Sequence, residues 1–188
     1  MAEQINDAIV DLALLRAAGT PDVRRQHLQD EVTQMFEEWR TPLLRYVSTF
    51  GMQQQDREEV VQEVFLALYS HLQNNKARTN LRAWLFRVAH NLALRRRQAE
   101  HPAAEATQAA DQLQDPGLNP EESFVDAQRQ QRLRRVFAAL PEQDRRCLSL
   151  RSEGLRYREI AEVVGISLGS VALSLERSLL RLQRVQGR

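Results

Sequence analysis

The amino-acid sequence predicts an all-α protein: two small helical domains joined by an acidic flexible linker, the second a four-helix domain built around a helix-turn-helix. Three observations carry this expectation. Apolar residues recur at spacings of three and four along most of the chain, with few β-branched runs and only seven glycines and six prolines to interrupt them, which is the period of a helix and not of a strand. From Gln98 to Ala127 there is no Lys or Arg, while Glu100, Glu105, Asp111, Asp115, Glu121, Glu122 and Asp126 are acidic and Pro102, Pro116 and Pro120 are interspersed; such composition reads as an extended linker. Beyond it, Ala161, Gly165 and Val171 stand four and then six residues apart, the packing arithmetic of two helices crossing closely over a glycine turn.

Taken in order, Ile5, Ile9, Leu12 and Leu15 form a short stripe ending at Gly19, and Thr20-Pro21 caps the next helix. That helix continues through Val23, Leu28, Val32, Met35 and Phe36, and Pro42 is expected to start a fresh helix, because it disfavours a helical residue before it. After Gly51 a helix opens at Asp56 with Val60, Val61, Val64, Phe65, Leu68 and Leu72 on one side. Glu58, Glu59, Gln62, Glu63 and an outward Leu66 lie on the other, as solvent surface or as a docking face for a basic partner. A polar loop, residues 74 to 80, leads into LRAWLFRVAHNLALRRRQ, residues 81 to 98, which has no acidic residue. Its stripe of Leu81, Trp84, Leu85, Val88, Ala89 and Leu92 is core; Phe86 falls roughly opposite, near Arg82, His90 and Arg97, placed either to pack on a neighbouring helix or to stack on bases beside phosphates.

In the second half a helix through Phe124, Leu133, Val136, Phe137 and Leu140 stops at Pro141, and another through Cys147, Leu148 and Leu150 stops near Gly154. Tyr157, Ile160, Ala161 and Val164 line the inner face of a short helix, Gly165 permits a left-handed turn, and Ser167 caps a last helix with Val171, Leu175, Leu179 and Leu182 inward. An ordinary helical hairpin uses the same glycine turn.

Composition excludes several classes. The first nineteen residues have no basic leader and too short an apolar run for a signal peptide or spanning helix, so a cytoplasmic protein without membrane insertion is expected. The one cysteine, Cys147, sits in an apolar stretch and reads as core. No Gly-rich phosphate loop, metal-ligand spacing among the four histidines, or nucleophile with a placed base is present. No catalytic residue, metal or cofactor is therefore expected, and the chain is not expected to be an enzyme. All but one of the 26 basic residues are arginine, Lys76 being the exception, which suits phosphate and base contacts.

Asp56 and Glu59, VVQEVFLALY (60 to 69) and RAWLFRVAHNLALRRR (82 to 97), with LPEQDRRCLSLR (140 to 151) and YREIAEVVGIS (157 to 167), resemble regions 2 and 4 of bacterial RNA polymerase sigma factors, sigma-70 family, extracytoplasmic-function (ECF) subfamily. The resemblance implies an N-terminal extension (1–29), a region 2 domain (30–98), a linker (99–124) and a region 4 domain (125–188). It implies a sigma factor that binds the β′ clamp and β flap of core RNA polymerase, directs it to promoter DNA and promotes melting, with an anti-sigma factor as regulator. Asp56, Glu59, Gln62, Glu63 and Leu66 would dock on polymerase. Asn80, Arg82, Trp84, Phe86, Arg87, His90, Asn91, Arg95, Arg96 and Arg97 would meet the −10 element, and Tyr157, Ser167, Ser170, Ser174, Arg177 and Arg181 the −35 element. The linker is either a plain tether or an acidic strand in a nucleic-acid channel. One departure stands out: where relatives carry lysine and arginine on the recognition helix, this chain has Ala172 and Ser174, with Glu176 nearby and Leu173 and Leu180 facing outward. Two alternatives therefore stand beside the sigma reading: a helix-turn-helix regulator that works without polymerase, and a sigma-like protein whose second domain mainly binds a protein partner.

Overall fold

The computed structural model describes residues 21–74, 76–100 and 124–186, and among these there are seven helices and no strand. They are α1 (Pro21–Ser48), α2 (Gln54–Gln73), α3 (Leu81–Glu100), α4 (Phe124–Ala138), α5 (Glu142–Ser152), α6 (Tyr157–Val164) and α7 (Leu168–Gln186). The expected opening helix and residues 101–123 of the expected linker lie outside the described residues; the linker's expected ends, 99–100 and 124, belong to α3 and α4.

Helix α1 runs unbroken through Pro42, contrary to the expected restart there. The proline removes one helical hydrogen bond, but Leu43, Tyr46 and Val47, directly after it, are fully buried and anchor the turn that follows the defect. The chain then turns at Gly51, whose φ of 75° lies in the left-handed region that favours glycine. Val60, Val61, Val64, Phe65, Leu68 and Leu72 of α2 face inward as the periodicity predicts, and Asn74 closes that helix by donating from Nδ2 to the Ser70 carbonyl at 2.8 Å.

Helices α1, α2 and α3 pack on one another, and α4 to α7 form a second group of four. Helices α6 and α7 meet at 104°, inside the range of a helix-turn-helix. Gly165 makes the turn at φ 74°, its N–H donating to the Ala161 carbonyl at 2.9 Å, and the Ser167 hydroxyl oxygen accepts the Ser170 N–H at 3.1 Å as the α7 cap. The two groups are in contact, because α3 lies against α6 and α1 against α5, so that buried residues of both halves join one continuous core. Among the described residues no single helix is long and apolar enough to cross a membrane.

Candidate nucleic-acid and protein interfaces

Phe86 and His90 are not on the surface. Both are buried: Phe86 stands edge-on to Tyr46 at 5.5 Å and to Trp39 at 6.4 Å, and His90 Nδ1 shares a 2.6 Å hydrogen bond with the Tyr46 hydroxyl. Burial and the Arg146 guanidinium push the His90 pKa down to about 4, and burial raises that of Tyr46. The placement of Phe86 and His90 on an open cationic face is thus corrected. The sector of α3 opposite the first stripe is covered by α1, through Trp39 and Tyr46, and is therefore also interior. Ala83, Phe86, His90 and Ala93, at spacings of three, four and three, make a second buried stripe. The small alanines in it were the available signal.

Of the remaining α3 candidates, Asn80, Arg87, Asn91 and Arg95 are exposed, and Arg82, Trp84, Arg96 and Arg97 are half-buried. Asn80, just before the helix, has φ 56°, a left-handed conformation that asparagine tolerates. Trp84 lies against the His71 ring at 4.5 Å. Three arginines reach the second helical group. Arg82 Nη2 donates to the Gly154 carbonyl at 3.1 Å, Arg87 pairs with Glu162 at 2.6 Å, and Arg97 pairs with Glu142 at 2.8 Å. From α1, Arg45 makes a two-pronged contact with Glu153 at 3.0 and 3.3 Å, and Arg146 of α5 reaches back to lie 4.3 Å over the Phe50 ring. The hydrogen bond from Arg97 holds the Glu142 carboxyl below its ordinary value against the opposing effect of burial. Gly154 permits this approach in two ways: its φ is 84°, and a Cβ there would stand 3.1 Å from Arg82 Nη1.

The acidic face of α2 is also partly spoken for. Asp56, Glu59 and Glu63 converge on Arg96, with Asp56 at 3.2 Å, Glu63 at 3.7 Å and Glu59 in a short hydrogen bond. That bond lowers the Glu59 pKa and raises that of Arg96. Gln62 is exposed, and Leu66 is 64% exposed.

On the second group, Tyr157 is exposed and not inward, with Arg151 5.9 Å from its ring. Ser167 is exposed, Ser170 half-buried and Arg181 exposed. Ser174 is a correction: it is fully buried, accepts from Gln143 Nε2 at 3.1 Å, and faces α5 instead of solvent. Leu179 is another, expected inward but 49% exposed. Beside Val171 and Leu175, the buried face of α7 is completed by Ser174 and Ser178, the latter satisfied by donating to the Ser174 carbonyl at 2.7 Å. Arg177 grips Asp144 at 2.8 and 3.2 Å. Burial pushes the Asp144 carboxyl up, but the Arg177 and Ser174 hydrogen bonds outweigh it and hold the pKa low. Among the described residues no group of three or more His, Cys, Asp or Glu is placed to hold a metal. The buried Cys147 thiol is pushed up to about 11 by its burial.

The sigma-70 region 2 family matches residues 35–101, which include the α2–α3 surface, and the sigma-70 region 4 family matches residues 130–182, which include the helix-turn-helix. The chain belongs to the sigma-70 family, ECF branch. Among its relatives, the sigma factor YlaC of Bacillus subtilis is 24% identical over 159 residues, 83% of this chain and 92% of that one. The ECF sigma-E factor of Escherichia coli K12 is 29% identical over 133 residues, 65% of this chain and 70% of that one. The ECF sigma factor SigE of Mycolicibacterium smegmatis is likewise 29% identical, over 69% of this chain but 51% of its own length. Two solved structures share the fold. One is CnrH in complex with the cytosolic domain of CnrY (20% identity, TM-score 0.57, 94% of this chain and 95% of that). The other is the sigma factor RpoE in complex with the anti-sigma factor NepR from Bartonella quintana (18%, TM-score 0.58, 84% and 97%). Neither matching family is one of enzymes.

For a sigma factor, what sequence reasoning missed is the set of acids, Glu142, Glu153 and Glu162, that meet the region 2 arginines Arg97, Arg45 and Arg87. An acid-free stretch, residues 81 to 98, in a chain of 25 acids is a signal that partners exist elsewhere, but which acids they are depends on tertiary packing alone.

Proposed function

We propose that this sigma factor binds core RNA polymerase in the cytoplasm, directs it to a two-part promoter and promotes melting of the −10 region. The observation that carries the reading is the presence, in order on one chain, of a matched region 2 and a matched region 4. Exposed Gln62, Glu63 and Leu66 on α2 serve as the polymerase-docking surface, Asp56 and Glu59 supporting it through Arg96. Asn80, Arg87, Asn91 and Arg95, with Trp84 at their margin, supply the contacts to the displaced strand, while Arg82, Arg96 and Arg97 attract its phosphates. Phe86 and His90 support this surface from beneath. Tyr157, Ser167, Ser170 and Arg181 remain for −35 duplex contact, and Arg177 is shared with Asp144.

The arrangement is closed, since Arg82 and Arg97 are held by α5 and the loop after it, and Arg87 by α6. Promoter phosphates compete for Arg82, Arg87 and Arg97 fully only after region 4 moves away, so polymerase binding is the step that frees these arginines. An anti-sigma factor, of the kind seen bound to the structural relative RpoE, would act by opposing that step. Run-off transcription with core polymerase on genomic promoter fragments tests the reading. A start-site-specific transcript that depends on this protein is expected; no core binding and no such transcript would end it.

A further inference from the structure

Helix α1 packs inward through Leu28, Val32 and Met35, and Glu31 occupies the same half-buried stripe. A carboxylate placed there is costly unless it is paired. Its partner comes from far along the chain: Arg78 Nη1 lies 2.6 and 2.8 Å from the two Glu31 carboxylate oxygens. Arg78 belongs to a short loop, residues 76–80, which is exposed throughout and leads straight into α3. His71, in the last turn of α2, ties the same loop from a second side. Its Nε2–H donates to the Ala77 carbonyl at 2.9 Å, since a carbonyl can only accept, and the Lys76 N–H reaches the His71 carbonyl at 3.3 Å. The His71 ring in turn rests on Trp84, and the Asn80 carbonyl accepts the Trp84 N–H at 3.1 Å.

These contacts fix the loop's backbone and its arginine from beneath, and leave Lys76, Thr79 and Asn80 exposed at its rim. A loop shaped in advance loses little freedom on binding and tolerates a wrong ligand less well than one that adapts. Because Glu31 neutralises Arg78, the loop meets a strand by shape and hydrogen bonding more than by charge. Resting on the reading of Asn80 and the first turn of α3 as contacts to the displaced strand, we propose that Glu31 and His71 are positioning residues. They act through loop 76–80 and not on DNA, holding its shape and so setting how strictly a base of the −10 element is read. Glu31 stands ahead of the matched region 2, residues 35–101, so this brace from α1 lies outside what the family match covers.

The test uses the full chain with core polymerase on one genomic promoter fragment that yields a transcript, prepared with each base in turn at every −10 position. The quantity read is the ratio of open-complex formation rates between the best base and the next best. Glu31→Gln should lower that ratio by about two- to fivefold, the scale of one partly exposed ion pair. His71→Phe keeps a ring against Trp84 but has no N–H for the Ala77 carbonyl, and should lower the ratio by about as much. Exchanging the pair, Glu31→Arg with Arg78→Glu, should restore it. Core binding and the thermal melt of Glu31→Gln should be unchanged, which separates loop shape from folding. An unchanged ratio in both single variants, an equal fall in rate at every base, no restoration on exchange, or a lowered melt in Glu31→Gln would overturn this proposal alone. No start-specific transcript with the unaltered chain would instead overturn the transcription reading, and this proposal with it.

Discussion

On α3 the polar groups are engaged and the aromatic ring is hidden: Arg82, Arg87 and Arg97 are held by the second helical group, Arg96 by α2, and Phe86 is core. On α7 the order is reversed, with serines buried and leucines facing water. Both helices belong to regions expected to meet DNA. The comparison teaches that residue type does not say which side of a helix is functional; the neighbours do. Helix α3 is clamped between two layers and its cations are engaged there, whereas α7 has one packed face and leaves leucines exposed on the other.

The largest effect expected of this contrast is on stability. Phe86→Ala should destabilise the protein by about 3–5 kcal/mol, as loss of a buried aromatic does, read as a shift in the denaturant midpoint. A small loss of stability combined with a large loss of single-strand binding would return Phe86 to the surface role that its burial denies.

Next comes pH. The folded His90 pKa, about 4, is below the unfolded value of 6.5. Between those values the unfolded chain binds the proton and the folded chain does not, so stability is complete above 6.5 and falls as pH drops towards 4. The full loss is about 3 kcal/mol by linkage. His90→Gln should flatten that slope in unfolding curves between pH 7 and 4.5, and an unchanged slope would assign it to other groups.

The contacts between the halves should be weaker. Changing Glu142, Glu153 and Glu162 together to glutamine should weaken the closed arrangement by about 1–2 kcal/mol, since partly exposed pairs contribute little each. Binding of single-stranded DNA to the free protein, followed by fluorescence anisotropy, should then tighten several-fold, and unchanged binding would mean that these acids do not cover α3. Smallest of all, Leu173→Asp should leave stability within about 0.5 kcal/mol, as exposed positions do; a lower melting temperature would place Leu173 in the core.

What the sequence made legible was local. The inward face of α2, the turn at Gly165 and the Ser167 cap each depend on residues within a turn or two, and each stands where the periodicity and turn chemistry put it. What it hid depends on a second packed face. Phe86 and His90 read as surface because one stripe on α3 already sufficed for a core, and Ser174 read as a DNA contact because a hydroxyl is polar, although Gln143 satisfies it inside. Leu179 failed for the converse reason, a leucine assigned inward by type when the buried positions had already been taken. Pro42 failed because tertiary burial of Leu43, Tyr46 and Val47 overrides a local preference. No pairing rule in the sequence selects Glu162 for Arg87.

The central claim is that the free protein is closed over α3 and opens on polymerase. Pulsed electron–electron resonance between spin labels on cysteines introduced at the exposed positions Gln55 of α2 and Gln183 of α7 measures it directly, because the native Cys147 thiol is buried and its pKa is raised to about 11. One narrow distance distribution for the free protein, shifting to a different distance when core polymerase is added, is the predicted result. A broad distribution in the free protein, or the same distribution with and without core, would contradict it.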